Sequence, residues 1–273
     1  MAILTLSRSL GSLGTQMADS LQLRLDLPRL DKSSLESVFS DYGEELENLE
    51  RYDEKRPSFW DNFSSHKDRY LHFLKTAIYE FAGTGSALIV GRGAQVVLAG
   101  IPGVLKIQVT APIQVRRERL MKRHEIDENQ ALAMIRQSDR ERSGFHRIFF
   151  NVEWDSPDLY DLVINTREME ADTAVTMIRS LIESPPFREQ AQQQKQMILD
   201  LILGHRVATA ILYHARIPIQ FLDTEARGGK VILRGSTVIR ADIDRATRVA
   251  AEVGGVDRVE NQIQFVPMTF SMG

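Results

Sequence analysis

Cysteine is missing from all 273 residues, which excludes disulfides and thiolate metal sites and leaves the compartment open. Charge of one sign is missing too. With 34 Lys and Arg against 37 Asp and Glu, the formal net charge is −3, so the whole molecule has no strong attraction for nucleic acid or an anionic lipid surface. No run approaches the ~18 consecutive apolar residues of a membrane span, which makes a membrane partner unexpected. The start, Met1-Ala2-Ile3-Leu4-Thr5-Leu6-Ser7-Arg8, lacks a basic segment followed by a long apolar one and does not read as a secretory signal. The expectation is a soluble, cytoplasmic protein. Its length suits two domains of ~100–200 residues each.

What is present is a series of short apolar runs alternating with helical patterns. Ile3 to Ser7, Ala87 to Val90, Val104 to Thr110 and Leu159 to Thr166 read as strands. Ser12 to Leu25, Tyr70 to Ala82, Ile113 to Arg123 and Asp172 to Ile182 read as helices. Such alternation predicts a parallel α/β sheet, with ligands at the carboxyl ends of the strands. Two of those ends carry phosphate chemistry. Gly91-Arg92-Gly93 sets a guanidinium where the backbone can stay close to an anion, although the same pattern suits a tight turn with a solvated arginine. The loop after the first strand lies where a phosphate-binding loop belongs. Aligned on the pattern G-x-x-x-x-G-K-[ST], it reads Arg8-Ser9-Leu10-Gly11-Ser12-Leu13-Gly14-Thr15: Gly14 replaces the lysine, and Thr15 keeps the hydroxyl that touches Mg²⁺. Taken alone, this stretch reads better as a plain strand–turn–helix.

Elsewhere the alternatives are structural. Asp31 suits a helix N-cap. The acid-rich stretch from Asp41 to Glu54 suits a solvated face, and Lys55-Arg56-Pro57-Ser58-Phe59-Trp60 a surface turn in which Arg56 is a weak acceptor-site candidate. Arginines gather at 116, 117, 119 and 123 and again at 136, 140, 142 and 147, where they either face a ligand or pair with nearby acids along their helices. Aromatic residues crowd Phe145 to Trp154 around His146, which has no partner at metal-ligand spacing. Pro185-Pro186 stops the last helix of this part. Phe187 to Gln196 is polar, glutamine-rich and lacks apolar periodicity, which reads as a linker. Beyond it come a helix from Met197 to Ile211, a strand from Ile217 to Leu222, a Gly228-Gly229 turn into Lys230–Gly235, a helix from Ala241 to Val253 and a strand from Val259 to Val266.

Val90-Gly91-Arg92-Gly93-Ala94, Pro102-Gly103-Val104-Leu105-Lys106-Ile107, Thr110-Ala111-Pro112 and Arg116-Arg117-Glu118-Arg119 together resemble the cytidylate kinases, and more closely the cytidylate kinase-like branch, from Ile3 to about Ile182. Ser7-Arg8-Ser9-Leu10-Gly11-Ser12-Leu13-Gly14 is similar to that branch's lysine-free loop. Val231–Gly235 and Gly255–Ile263 resemble the BON domain. The resemblance implies a P-loop NTPase-like parallel sheet flanked by helices over 1–184, a linker over 185–196 and a small C-terminal α/β BON-like domain over 197–267.

It also implies ATP and Mg²⁺ as cofactors and a nucleoside monophosphate, CMP or dCMP, as acceptor. Gly11, Ser12, Gly14 and Thr15 would cradle the donor phosphates, with Arg8 supplying the missing lysine's charge. Arg92 would hold the acceptor phosphate, assisted by Asp31 and Arg136, and Arg140 and Arg142 would act as lid arginines. Two departures stand out: Val90 occupies the place of a Mg²⁺-organising acid, and Gly93 that of the acid after the arginine. They leave a non-catalytic nucleotide sensor as the alternative. The BON-like domain would then contact an unidentified ligand or protein partner, and a homo-oligomer stays open.

Overall fold

The computed structural model describes residues 2–32, 34–35 and 64–267. The chain divides into two compact units, Met1–Gln194 and Lys195–Gly273. The acid-rich stretch and the Lys55–Trp60 turn, with Arg56, lie outside the described residues.

In the first unit the described elements run β1 (Ile3–Arg8), α1 (Gly14–Leu25), β2 (Arg29–Leu30), α2 (Ser64–Gly83), β3 (Ala87–Val90), the single turn α3 (Ala94–Val97), β4 (Val104–Thr110), α4 (Ile113–His124), α5 (Glu128–Phe150), β5 (Leu162–Asn165) and α6 (Ala171–Glu183). The five strands form one parallel sheet in the order β2-β3-β1-β4-β5, with Leu4 opposite both Leu88 and Leu105. β1 is central and buried on both faces, so that even its polar residues Thr5 and Ser7 are covered. Leu6, Val90, Ile107 and Val109 pack there against Met17 and Leu21 of α1 and Ile178 of α6. The long helix α5 starts at a reciprocal cap: Gln130 N–H donates to the Asp127 carboxylate at 2.8 Å, and Asp127 N–H donates to the Gln130 side chain at 3.1 Å.

The stretch expected as a linker is helical. α7 (Pro185–Thr209) begins at the two prolines, whose missing N–H groups cost nothing in a first turn. Phe187, Ala191, Gln194 and Ile198 share its buried stripe, and Gln194 donates to the Gly103 carbonyl. A small residue and an amide on that stripe hide it from a hydropathy pattern.

In the second unit a π-helical turn (Ala210–His214) leads to β6 (Gln220–Arg227), β7 (Lys230–Thr237), α8 (Arg240–Ala251) and β8 (Arg258–Phe265). β6 and β7 are antiparallel across Gly228-Gly229, and β7 and β8 are parallel. The first strand lies three residues later than expected, because Ile217 and Ile219 sit in the core ahead of the ladder. Pro185–His214 is long and apolar enough, by length and composition, to cross a membrane, which run length did not suggest. Val207 and Ile211 of that segment nonetheless pack in the second unit's core, and Asp200 accepts from Gly228 N–H at 2.9 Å.

Candidate active site

The carboxyl ends of β1, β3 and β4 face one edge of the first sheet, and the chemistry gathers there. Beyond Arg8 the chain turns sharply. Ser9 N–H donates to Val109 O, and the Ser12 N–H and hydroxyl both donate to Ser9 O. Ser12 therefore holds the turn and presents no hydroxyl to a ligand. Gly11 (φ +80°) and Leu13 (φ 64°) are left-handed, and α1 opens at Gly14 with its first N–H groups lacking helical partners. A Cβ at Gly14 would stand 2.3 Å from the Cβ of Arg8. Positions 8 and 14 thus cannot both carry a side chain in this loop, so Arg8 occupies the space that a lysine at 14 would need.

At the end of β3 three successive residues are left-handed, Gly91 (φ +78°), Arg92 (φ 57°) and Gly93 (φ +68°). For an arginine this backbone costs about 1–2 kcal/mol, a cost that clusters where a side chain must be aimed. Arg92 is buried, only 8% exposed. A Cβ at Gly93 would fall 2.2 Å from the ring of Phe150, so helix α5 packs directly onto this turn. Asp31 follows β2, and its carboxylate is taken by Arg29 Nε at 3.1 Å and Ser34 N–H at 3.4 Å.

The arginine clusters separate by role. Arg116 is a structural pin: it makes a bidentate pair with Asp139 at 2.7 and 3.0 Å, and its Nε donates to Leu10 O at 2.7 Å. Arg119 donates to Gly11 O and to Thr166 O and Oγ1, and desolvation lowers its pKa. Arg117 pairs with Glu128. Arg136 is exposed, and Arg140 bonds Gln137 on its own helix. Arg142 bonds Ser138 and lies 5.7 Å from the centre of the Trp154 ring.

Two cavities open on this edge. The larger, about 700 Å³, is lined by Gly11, Ser12, Gly14 and Thr15 together with Arg8 and Arg142. The smaller, about 460 Å³, is lined by Arg92 and again by Arg8 and Arg142. Asp31, Arg136 and Arg140 line neither. Of the first basic cluster, Arg119 and Arg123 line the larger cavity together with Lys122, whereas Lys32, in the smaller, was not among the expected site residues. Lys32 carried a signal, being the cation beside Asp31 at the end of a strand. Among the described residues no carboxylate lines the larger cavity, and Glu141 is the one that lines the smaller.

A parallel sheet with an anion-ready loop after its central strand and helices on its flanks is the architecture of the P-loop kinases. Residues 3–168 match the cytidylate kinase-like family, over half of the chain, and the chain belongs to that family; residues 200–267 match the BON domain. A cytidylate kinase of Methanocaldococcus jannaschii is 31% identical over 107 residues, 38% of this chain and 60% of that protein. A cytidylate kinase of Staphylothermus marinus is 30% identical over 107 residues, 38% and 59%. The chain therefore spans about three-fifths of the length of these curated relatives. Among solved structures, an uncharacterized protein from Eubacterium ventriosum superposes with a TM-score of 0.53 at 24% identity, covering 67% of this chain and 99% of that one, a likeness of fold.

Proposed function

We propose that this chain transfers the γ-phosphoryl group of ATP to a nucleoside monophosphate, CMP or dCMP, in the cytoplasm. The observation that carries the proposal is that Arg8 and Arg142 line both cavities, so a donor in the larger and an acceptor in the smaller would meet at the same two guanidinium groups. The N-terminal N–H groups of α1 and the hydroxyl of Thr15 suit the donor's phosphates. The buried, conformationally fixed Arg92 suits the acceptor's phosphate, bidentate and always charged.

In the transfer, an anionic oxygen of the acceptor phosphate forms the new bond to the γ-phosphorus, and the bond to the β–γ bridging oxygen breaks. No proton must be removed from that oxygen, so the protein's work is positioning and neutralising charge. Arg8 and Arg142 hold positive charge where the transferring group spreads its own. Mg²⁺, if held there, would supply further neutralisation. The walls would hold such an ion through the Thr15 hydroxyl and offer it no carboxylate among the described residues.

That same lack of a carboxylate favours a second reading, a sensor that binds nucleotide without transfer and reports to a partner of the BON domain. Calorimetric titration with CMP, dCMP, UMP and ATP, with and without Mg²⁺, followed by a coupled ADP-release assay, separates the two. Turnover of CMP or dCMP supports the kinase. Tight binding with no turnover selects the sensor.

A further inference from the structure

Behind the two cavities runs a chain of buried polar groups. Trp154 Nε1–H donates to Ser7 Oγ at 2.8 Å. Tyr160 OH donates to Trp154 O at 2.8 Å and accepts from Gln95 Nε2 at 3.4 Å. Gln95 Nε2 also lies 2.8 Å from His146 Nε2, and His146 Nδ1 lies 2.8 Å from the carbonyl oxygen of Arg142. A carbonyl only accepts, so Nδ1 carries the proton and the neutral ring accepts from Gln95 through Nε2. All five side chains are buried. Burial also pushes the Tyr160 phenol up to about 12, so it remains a donor.

The members are spaced one for each arginine of the site. Ser7 is the residue before Arg8, Gln95 lies three after Arg92 at the foot of the left-handed turn, and His146 lies one helical turn after Arg142 and bonds that residue's own carbonyl. Trp154 adds its ring face beside the Arg142 guanidinium. We infer that Ser7, Gln95, His146, Trp154 and Tyr160 form one scaffold of positioning residues that fixes Arg8, Arg92 and Arg142 about the wall shared by the two cavities. The inference rests on the phosphate-site reading above and adds to it: side chains that touch no ligand decide how tightly the phosphates are held. Satisfied buried networks of this kind impose one geometry on what surrounds them.

The test is the full-length Gln95→Leu/His146→Phe double variant. Replacing both hydrogen-bonding partners by apolar groups of similar shape is nearly neutral for stability, so the fold should be kept. The first readout is the side-chain Nε–H order parameters of the arginines by NMR, with Arg116, held by Asp139, as internal standard. The second is the affinity for CMP and for ATP. The expected result is lower order for Arg92 and Arg142 with Arg116 unchanged, and dissociation constants raised at least tenfold at an unshifted melting temperature. Arginines as ordered as in the parent, or parent-like affinity, would overturn the inference. If the parent itself binds neither nucleotide, the kinase reading fails, and the arginine order parameters still decide for or against the scaffold. Should the double variant not fold, Ser7→Ala, which removes one hydroxyl and little bulk, is read in the same way at Arg8 and Arg142.

Discussion

Arg8 leaves the end of β1 with its Cβ in the space that a side chain at position 14 would require, so a lysine cannot simply be restored there. Arg8→Ala removes the cation that stands in the space of a lysine at 14. Its turnover of ATP with CMP should fall by about 10²–10³-fold, the range seen when one preorganised donor to a developing charge is lost. Arg8 is partly exposed, so the melting temperature should hardly move. Parent-like turnover would remove Arg8 from the site. A second residue makes a prediction about pH. Burial, and then the charge of Lys75, pushes His72 in α2 down to about 4. Its native form binds the proton less readily than the unfolded chain does, so its stabilisation is complete above the unfolded pKa near 6.5 and is lost as pH falls towards 4. The linkage amounts to about 3 kcal/mol at most. Urea midpoints at pH 7 and pH 4.5 should differ clearly in the parent and by less in His72→Gln; an equal difference in both would exclude His72 as the source.

The elements differ in how openly the sequence declares them. β3 is legible because a strand covered on both faces is a run of apolar residues, and β1 and β4 through their Ile, Leu and Val positions, whereas the start of α5 went unread although Asp127 and Gln130 stand at capping distance. α7 is not legible, since its buried stripe passes through Ala191 and Gln194. The candidate site splits in the same way. Gly91-Arg92-Gly93 and the glycines of the first loop can be read, because left-handed backbone selects glycine. The network behind them cannot: Trp154 and Ser7 are bonded across 147 positions, and nothing local marks either one. Arg116 was equally ambiguous until Asp139, one helix away, was seen to take both of its terminal nitrogens. The contact of α5 with the arginine turn gives a prediction at this scale. Gly93→Ala meets both a left-handed backbone and the Phe150 ring. The sum should cost about 2–4 kcal/mol and weaken CMP binding through Arg92. Adding Phe150→Leu should restore the packing part of the loss and leave the backbone part. A double variant no more stable than Gly93→Ala would mean that the ring is not the obstacle.

At the scale of the whole molecule, the cores of the two units are separate lists of residues, one around Leu6, Val90 and Ile107, the other around Val207, Val231 and Leu233. Both tryptophans of the chain, Trp60 and Trp154, fall within Met1–Gln194, while helix and strand signals come from both units. Fluorescence excited selectively at tryptophan therefore reports on the kinase-like unit alone, since Tyr213 lies in the second unit, and far-ultraviolet circular dichroism reports the sum. A ligand that binds only the native form adds about 2.7 kcal/mol at a hundredfold excess over its dissociation constant. CMP together with ATP should raise the unfolding free energy seen by fluorescence by at least that amount, and the denaturant midpoint with it. In circular dichroism the same addition should move one part of the transition and leave the part contributed by Lys195–Gly273 in place. A single transition that shifts as one in both signals would show that the BON domain unfolds only with its neighbour. Nucleotide binding would then reach the second unit through stability itself, which is the coupling that the sensor reading needs and the kinase reading does not.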